Sequence, residues 1–175
     1  MPERNRILLH VCCAPCCTHA IERLRAGYDV TLFFSNSNLF PPEEYAKRLQ
    51  EADRLARICQ CCLVEDSYDH DAWLAFVKGL EDEREGGKRC RKCFEFNLTR
   101  AAAYARGNGF AAFTTTLTIS PHKRAADIFA IGQRLGDFLD VDFKKQDGFR
   151  RSVELSHEFG LYRQGYCGCE FSLRR

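Results

Sequence analysis

Arg6-Ile7-Leu8-Leu9-His10-Val11 runs straight into Cys12-Cys13-Ala14-Pro15-Cys16-Cys17. The first six residues are a short apolar run, the pattern of a strand buried on both faces. Pro15 suits the first turn of a helix, where its missing N–H costs nothing and its φ is already helical. That helix reaches about Ala26, and Gly27 closes it. A buried strand feeding a helix through a turn of cysteines is the opening of an α/β unit.

The rest of the chain repeats the unit. Asp29–Ser35 is β-branched and aromatic and reads as a strand. Pro42 opens a helix through Glu43, Tyr45, Leu49 and Leu55. Cys62–Glu65 is a brief strand, and Asp71–Leu80 has helical spacing. Glu81–Lys88, with Gly86-Gly87, reads as a charged loop. Cys90–Arg106 is a helix carrying the good formers Ala101, Ala102, Ala103 and Ala105. Phe110–Leu117 reads as a strand, and Pro121 or His122 starts a helix ending near Gly136. Val141–Lys144 reads as a last strand and Gly148–Phe159 as a last helix. This alternation predicts a parallel sheet covered by helices on both faces, in a single α/β domain over residues 1–175. In such sheets function gathers beyond the C-terminal ends of the strands. Cys12-Cys13, Asn36-Ser37-Asn38 and Thr118-Ile119-Ser120-Pro121 all follow a strand, and Cys90 and Cys93 open a helix.

The composition narrows the class. A hydrophobic share of 45% is enough for a buried core. Eleven cysteines, about 6% of 175 residues, fall short of a disulfide scaffold. No signal-peptide stretch and no run long enough to span a bilayer is legible, so a reducing cytoplasm is the expected compartment. There, clustered cysteines mean metal or catalysis more often than structural disulfides. The net charge of +2 names no partner. The basic residues are uneven, however. Lys88, Arg89, Arg91 and Lys92 surround the C-x-x-C. His122, Lys123 and Arg124 follow Ser120-Pro121. Lys144, Lys145, Arg150, Arg151, Arg163, Arg174 and Arg175 make the last third basic. Each run alone reads as a solvated face; several beside cysteine motifs favour a polyanionic substrate.

The cysteines divide into groups. Cys12, Cys13, Cys90 and Cys93 offer four thiolates from two segments, enough for tetrahedral zinc or a [4Fe–4S] cluster. Spacing alone leaves these two, and unligated thiols, open. Cys90 and Cys93 lie on one face of a helix start, where the dipole and nearby cations favour thiolate. Cys16 is a candidate ligand for a second metal, with packing as its alternative. Cys167-Gly168-Cys169 brackets a glycine able to take up the awkward backbone of a tight ring, and reads as a redox-active dithiol. The alternatives there are further ligands or idle thiols. Cys59, Cys61 and Cys62 cross from a helix end into a strand and read as small buried apolar residues. His10 reads as a satisfied core group or one that supports a neighbouring ligand, and His122 as an exposed helix start, with phosphate contact as its alternative. Asn36, Ser37 and Asn38 are turn residues first and substrate contacts second, and Thr114-Thr115-Thr116 is mostly strand propensity with hydroxyls that could line a polar pocket.

These motifs together resemble the QueH-type epoxyqueuosine reductases. The resemblance runs through His10-Val11-Cys12-Cys13-Ala14-Pro15-Cys16, Asn36-Ser37-Asn38-Leu39-Phe40-Pro41 with Glu44-Tyr45, and Arg89-Cys90-Arg91-Lys92-Cys93. It continues through Phe113-Thr114-Thr115-Thr116-Leu117 with Ser120-Pro121, and Tyr162-Arg163-Gln164-Gly165-Tyr166-Cys167-Gly168-Cys169. The chain departs from the pattern at Phe94, where tyrosine is expected, and at Asn97, where arginine is expected. The resemblance implies a [4Fe–4S] cluster on Cys12, Cys13, Cys90 and Cys93, with an additional iron as a further expectation. It implies a redox-active disulfide between Cys167 and Cys169. The implied fold is related to the nucleotide-binding α/β hydrolase-like (HUP/PP-loop-like) group, without a glycine-rich phosphate loop. The implied reaction is reduction of the epoxide of epoxyqueuosine in a tRNA anticodon arm, the last step of queuosine synthesis, with an unnamed electron donor. Two other readings stand beside it. An ATP-using tRNA-modifying enzyme needs a phosphate loop where Cys12–Cys17 lies. A zinc-stabilised RNA-binding module leaves Cys167 and Cys169 without a role.

Overall fold

The computed structural model describes residues 5–173. Arg174 and Arg175 lie outside the described residues. Four strands form one parallel sheet: β1 (Asn5–His10), β2 (Tyr28–Phe34), β3 (Cys62–Glu65) and β4 (Ala112–Thr115), in the order β3-β2-β1-β4. The helices are α1 (Ala14–Leu24), α2 (Pro42–Cys59), α3 (His70–Val77), α4 (Lys88–Gly107), α5 (Ala125–Leu135) and α6 (Gly148–Glu158). The order reverses between β2 and β4 on either side of β1, so the loop after β1 is a switch point. That loop is Cys12-Cys13.

Period-two alternation sorts the strand residues onto two cores. Ile7, Leu9, Val30, Leu32 and Phe34 face α1 and α2, packing on Cys17, Ile21, Leu24 and Leu55. Leu8, Phe33 and Phe113 face the other way, onto Ala101, Ala102 and Ala105 of α4. Helices cover both faces, as the alternation predicts. Each fully buried leucine or phenylalanine here contributes about 1.5–3 kcal/mol. The three alanines let α4 lie close to the sheet without displacing its large side chains.

Three boundaries differ from the sequence reading. Val141–Lys144 is not a strand. β4 stops at Thr115, whose Oγ1 accepts from Leu117 N at 3.1 Å and starts a 3-10 turn over Thr116–Ile119. Beyond it no backbone ladder is left for residues 141–144 to join. Threonine hydroxyls tether that segment instead: Thr114 Oγ1 donates to Leu139 O and Thr118 Oγ1 to Val141 O, each at 2.8 Å. A single bridge joins Phe113 to Phe138. Phe138 in turn fills the space over Gly132, where a β-carbon would meet its ring at 2.4 Å. Secondly, α5 starts at Ala125, because Ser120–Lys123 closes a turn through Lys123 N to Ser120 O at 3.3 Å. Thirdly, α3 ends at Val77, short of Gly79 with its φ of +83°.

Candidate metal and redox site

β1 delivers the chain to the site, and a buried network fixes its end. His10 is fully buried. Its Nε2 donates to Ser35 O at 3.0 Å, and its Nδ1 faces Thr115 Oγ1 at 2.9 Å. Burial lowers its pKa, so the ring is neutral, as the core reading expects. Asn36 Nδ2 donates to Val11 O at 2.8 Å, and Ser37 Oγ accepts from Asp69 N at 3.1 Å. These polar residues hold the loops after β1 and β2 in place.

Cys12, Cys13 and Cys16 bring their sulfurs within 4.8 Å of one another. Thr116 grips the first of them, its Oγ1 accepting from Cys12 N at 3.1 Å and lying 3.2 Å from Cys12 Sγ. In the sequence Thr116 reads as mostly strand propensity with a hydroxyl that could line a polar pocket, and the structure sets that hydroxyl on Cys12. The three thiols share protons unequally. Hydrogen bonds from Cys13 and Cys16 pull Cys12 well below the ordinary thiol value. The Cys12 partner pushes Cys13 up to about 12, and Cys12 and Cys13 push Cys16 up. One thiolate held by two thiols is soft-metal ligand chemistry. Cys17 is different: it is fully buried in the core between α1 and the sheet.

Cys90 and Cys93 lie outside this three-sulfur group. They belong to the first turns of α4, with Cys90 Sγ accepting from Gly86 N at 3.2 Å. Burial raises the Cys93 pKa, and Cys167, Cys169 and Cys90 raise it further, so these four thiols lie within electrostatic reach of one another. Cys169 packs with Trp73 and Val77. Lys123 spans both groups. Burial opposes its charge, but Cys167, Cys12, Cys16 and Cys13 outweigh that and hold the ammonium protonated. A cavity of about 190 Å³ opens here, lined by Cys90, Cys167, Phe94, Lys123, Arg124 and Asp127 among others.

The C-terminal pair is clamped from α2. Arg48, buried beside Glu44, donates to the carbonyl oxygens of Cys167 at 2.9 Å and Tyr166 at 3.2 Å. Phe40 N donates to Gly168 O at 2.9 Å. Gly168 has φ +140°, and a β-carbon there would lie 2.4 Å from Leu39 Cδ2. Cys167 and Cys169 stand as free thiols. Arg48 was missed by sequence reasoning. Its signal was a charge four residues after Glu44 on the face that also carries Tyr45, Ala52 and Leu55.

Other expectations are corrected. Arg89 is no surface contact: it is 3% exposed and donates to the carbonyls of Leu80, Glu81 and Glu83, closing the loop before α4. Arg151 pairs with Glu22 at 2.7 Å, and Arg150 lies 3.6 Å from Glu154. Cys62 is exposed on the edge strand rather than buried, while Cys61 Sγ accepts from Arg25 Nη2 at 3.2 Å. The two departures from the motif pattern have places: Phe94 lines the cavity, and Asn97 Nδ2 donates to Asn38 Oδ1 at 2.9 Å. Among the described residues no helix is long and apolar enough to cross a membrane.

Comparison with known proteins agrees with this architecture. The chain resembles a solved structure of a predicted subunit of tRNA methyltransferase from Methanocaldococcus jannaschii, with a TM-score of 0.55 over 84% of this chain and 76% of that one. At 13% identity that likeness concerns the fold alone. An epoxyqueuosine reductase QueH from Streptococcus pyogenes serotype M1 is 40% identical over 182 residues, covering 98% of this chain and 71% of the relative. One from Thermotoga maritima is 38% identical, covering 95% of this chain and 90% of the relative. The family model for epoxyqueuosine reductase QueH matches residues 7–175, a span that takes in every cysteine of the site. The chain therefore belongs to the epoxyqueuosine reductase QueH family.

Proposed function

We propose that this chain, acting as one domain in the cytoplasm, reduces the epoxide of epoxyqueuosine in a tRNA anticodon arm, giving queuosine. In this reading Cys12, Cys13, Cys90 and Cys93 hold a [4Fe–4S] cluster, Cys16 is available to an additional iron, and Cys167 and Cys169 form the redox pair. The donor set is compatible with such a group: three sulfurs of the first segment lie within 4.8 Å of one another, and Cys90 and Cys93 open the helix beside Lys123, which feels the charge of Cys12, Cys13, Cys16 and Cys167. The observation that carries the reading is that Cys90 and Cys167 line the same cavity. A helix-start ligand and a member of the C-terminal dithiol thus face one space.

When bound, the cluster supplies single electrons and a Lewis acid. The chain's own residues do the rest. Cys167 and Cys169 together release two electrons and two protons on closing a disulfide. That matches conversion of an epoxide to an alkene and water. An external donor then reopens the disulfide. Lys123 keeps a positive charge beside Cys167, offsetting part of the burial that raises that thiol's pKa. His122 and Arg124 at the cavity, with Arg84, provide phosphate contacts for the anticodon loop.

The test is anaerobic reconstitution with iron and sulfide, followed by turnover on tRNA carrying epoxyqueuosine. Mass spectrometry of the released nucleosides should show loss of one oxygen. An iron-replete brown protein that leaves the epoxide intact sinks the proposal. One observation favours a second reading, a zinc-stabilised RNA-binding module. Sulfurs around one tetrahedral zinc stand about 3.8 Å apart for bonds near 2.3 Å, close to the spacing of Cys12, Cys13 and Cys16. A colourless protein with stoichiometric zinc and no turnover supports that module.

A further inference from the structure

Trp73 is the only tryptophan in the chain. It sits on α3, which also packs Val77 on Cys169. Its side chain is 0% exposed and packs with Val77, Cys169 and Cys93. His70 stacks on the ring at 5.5 Å, and Phe171 tilts against it at 6.1 Å. The indole is thus held firmly. Yet its Nε1–H, fully buried, has no hydrogen-bond partner. An unmade hydrogen bond on a buried donor costs about 1–3 kcal/mol, and native folds rarely leave one.

Cys93 packs against the same buried cluster as the indole. A neutral thiol is a weak acceptor, whereas an anionic sulfur draws a charge-assisted bond. Asn97, four residues after Cys93, brings Nδ2 to 3.9 Å from the Cys93 sulfur. A metal-ligated sulfur at Cys93, carrying negative charge, would give the orphan donor the acceptor it lacks.

We propose that Trp73 is a positioning residue for the ligand Cys93, donating its Nε1–H to the ligated sulfur and raising the reduction potential of the centre. The inference rests on the proposed role of Cys93 as a cluster ligand. N–H···S bonds offset negative charge on the sulfur, and that charge grows on reduction. They therefore favour the reduced form, one of the recognised ways a protein sets such a potential.

Trp73→Phe keeps an aromatic ring and removes the donor. Replacing the sole tryptophan with its benzothiophene analogue, sulfur in place of N–H, preserves the shape if the phenylalanine packs poorly. Iron content and midpoint potential are measured on anaerobically reconstituted protein. The expected result is unchanged iron content with a more negative midpoint potential in both proteins. Full iron content with an unmoved potential in both overturns the inference while leaving the functional reading intact. Loss of iron from the isosteric analogue also overturns it, because the N–H then retains the cluster rather than tuning it. Cys93→Ser is the separate control. If that variant keeps its full iron, the ligand assignment falls and the inference falls with it.

Discussion

Arg48 Nη1 donates to the carbonyl oxygen of Cys167 at 2.9 Å, joining α2 to the C-terminal dithiol across 119 residues of sequence. The guanidinium is 2% exposed, and its Nε donates to Glu44 at 2.6 Å. Burying an arginine is tolerable only with such complete pairing. The pairing also fixes the backbone that presents Cys167.

Arg48→Met should therefore cost about 3–5 kcal/mol, the usual effect of leaving one member of a buried pair uncompensated. Urea denaturation reads it directly. The double change Arg48→Met with Glu44→Gln should recover part of that loss. A single variant within about 1 kcal/mol of the parent would show that the pair holds nothing.

Gly168→Ala should damage the same loop from inside. The residue has φ +140°, and the added carbon would meet Leu39 at 2.4 Å and Arg48 at 3.1 Å. A strained backbone of this kind costs about 1–3 kcal/mol. Gly165→Ala is the matched control, since nothing lies within 4 Å of its added carbon. Thermal unfolding of both should separate them by several degrees. Equal midpoints would refute the steric argument.

The ligand assignment makes a sharper demand. Cys12→Ser, Cys13→Ser, Cys90→Ser and Cys93→Ser should each lose iron and visible absorption after reconstitution. Cys61→Ser should lose neither, because its sulfur accepts from Arg25 and is not one of the three grouped sulfurs. Cys167→Ala should keep the colour and lose epoxide reduction. Iron retained in Cys90→Ser but lost from Cys61→Ser reverses the assignment.

Acid should act through Asp66. Burial alone raises its pKa, but hydrogen bonds from Arg100 and Ser35 more than reverse this and hold the carboxyl below its ordinary value. A depressed carboxylate gives stability that is present above the unfolded pKa of about 3.9. That stability is lost as pH falls through the folded value. Asp66→Asn should thus lower the urea midpoint clearly near neutral pH and much less once the medium is acid enough to protonate the folded carboxyl. An equal deficit under both conditions would show that charge is not the cause.

For tRNA, the arginines at the cavity should matter more than those on α6. Arg150 and Arg151 already face Asp147, Glu154 and Glu22. Arg84→Gln with Arg124→Gln should weaken binding and flatten its salt dependence, the log–log slope falling by about 0.7 for each phosphate no longer neutralised. Neutralising Arg150 and Arg151 should do less. The reverse order in filter binding at several salt concentrations would move the RNA to the α6 face.

Much of the framework was legible because its signals are local. Apolar runs marked β1 and β2, and Pro15, Pro42 and the alanines of α4 marked helices. Cysteine spacing marked Cys12 and Cys13, which the structure groups with Cys16, while Cys90 and Cys93 lie outside that group. What escaped was set by long-range pairing. Val141–Lys144 has strand-like composition, but β4 ends before it can serve as a partner. Arg89 reads as one more surface cation until the three carbonyls it closes are seen. Arg48 and Trp73 sit in ordinary helical positions, and only the arrival of the C-terminal segment gives them partners. Asn97, read as a departure from a pattern, holds Asn38 in place.

The 119 residues between Arg48 and Cys167 also order the molecule in time. A nascent chain grows at about 5–20 residues per second, so Arg48 waits about 6–24 s for its carbonyl partners. During that interval Glu44 alone must satisfy it, and the sheet, already fed by β1 to β3, must stay soluble around an unfinished wall. Cys12, Cys13, Cys90 and Cys93 are all synthesised before Cys167, so the proposed ligands are in place before the C-terminal pair that shares the cavity with Cys90.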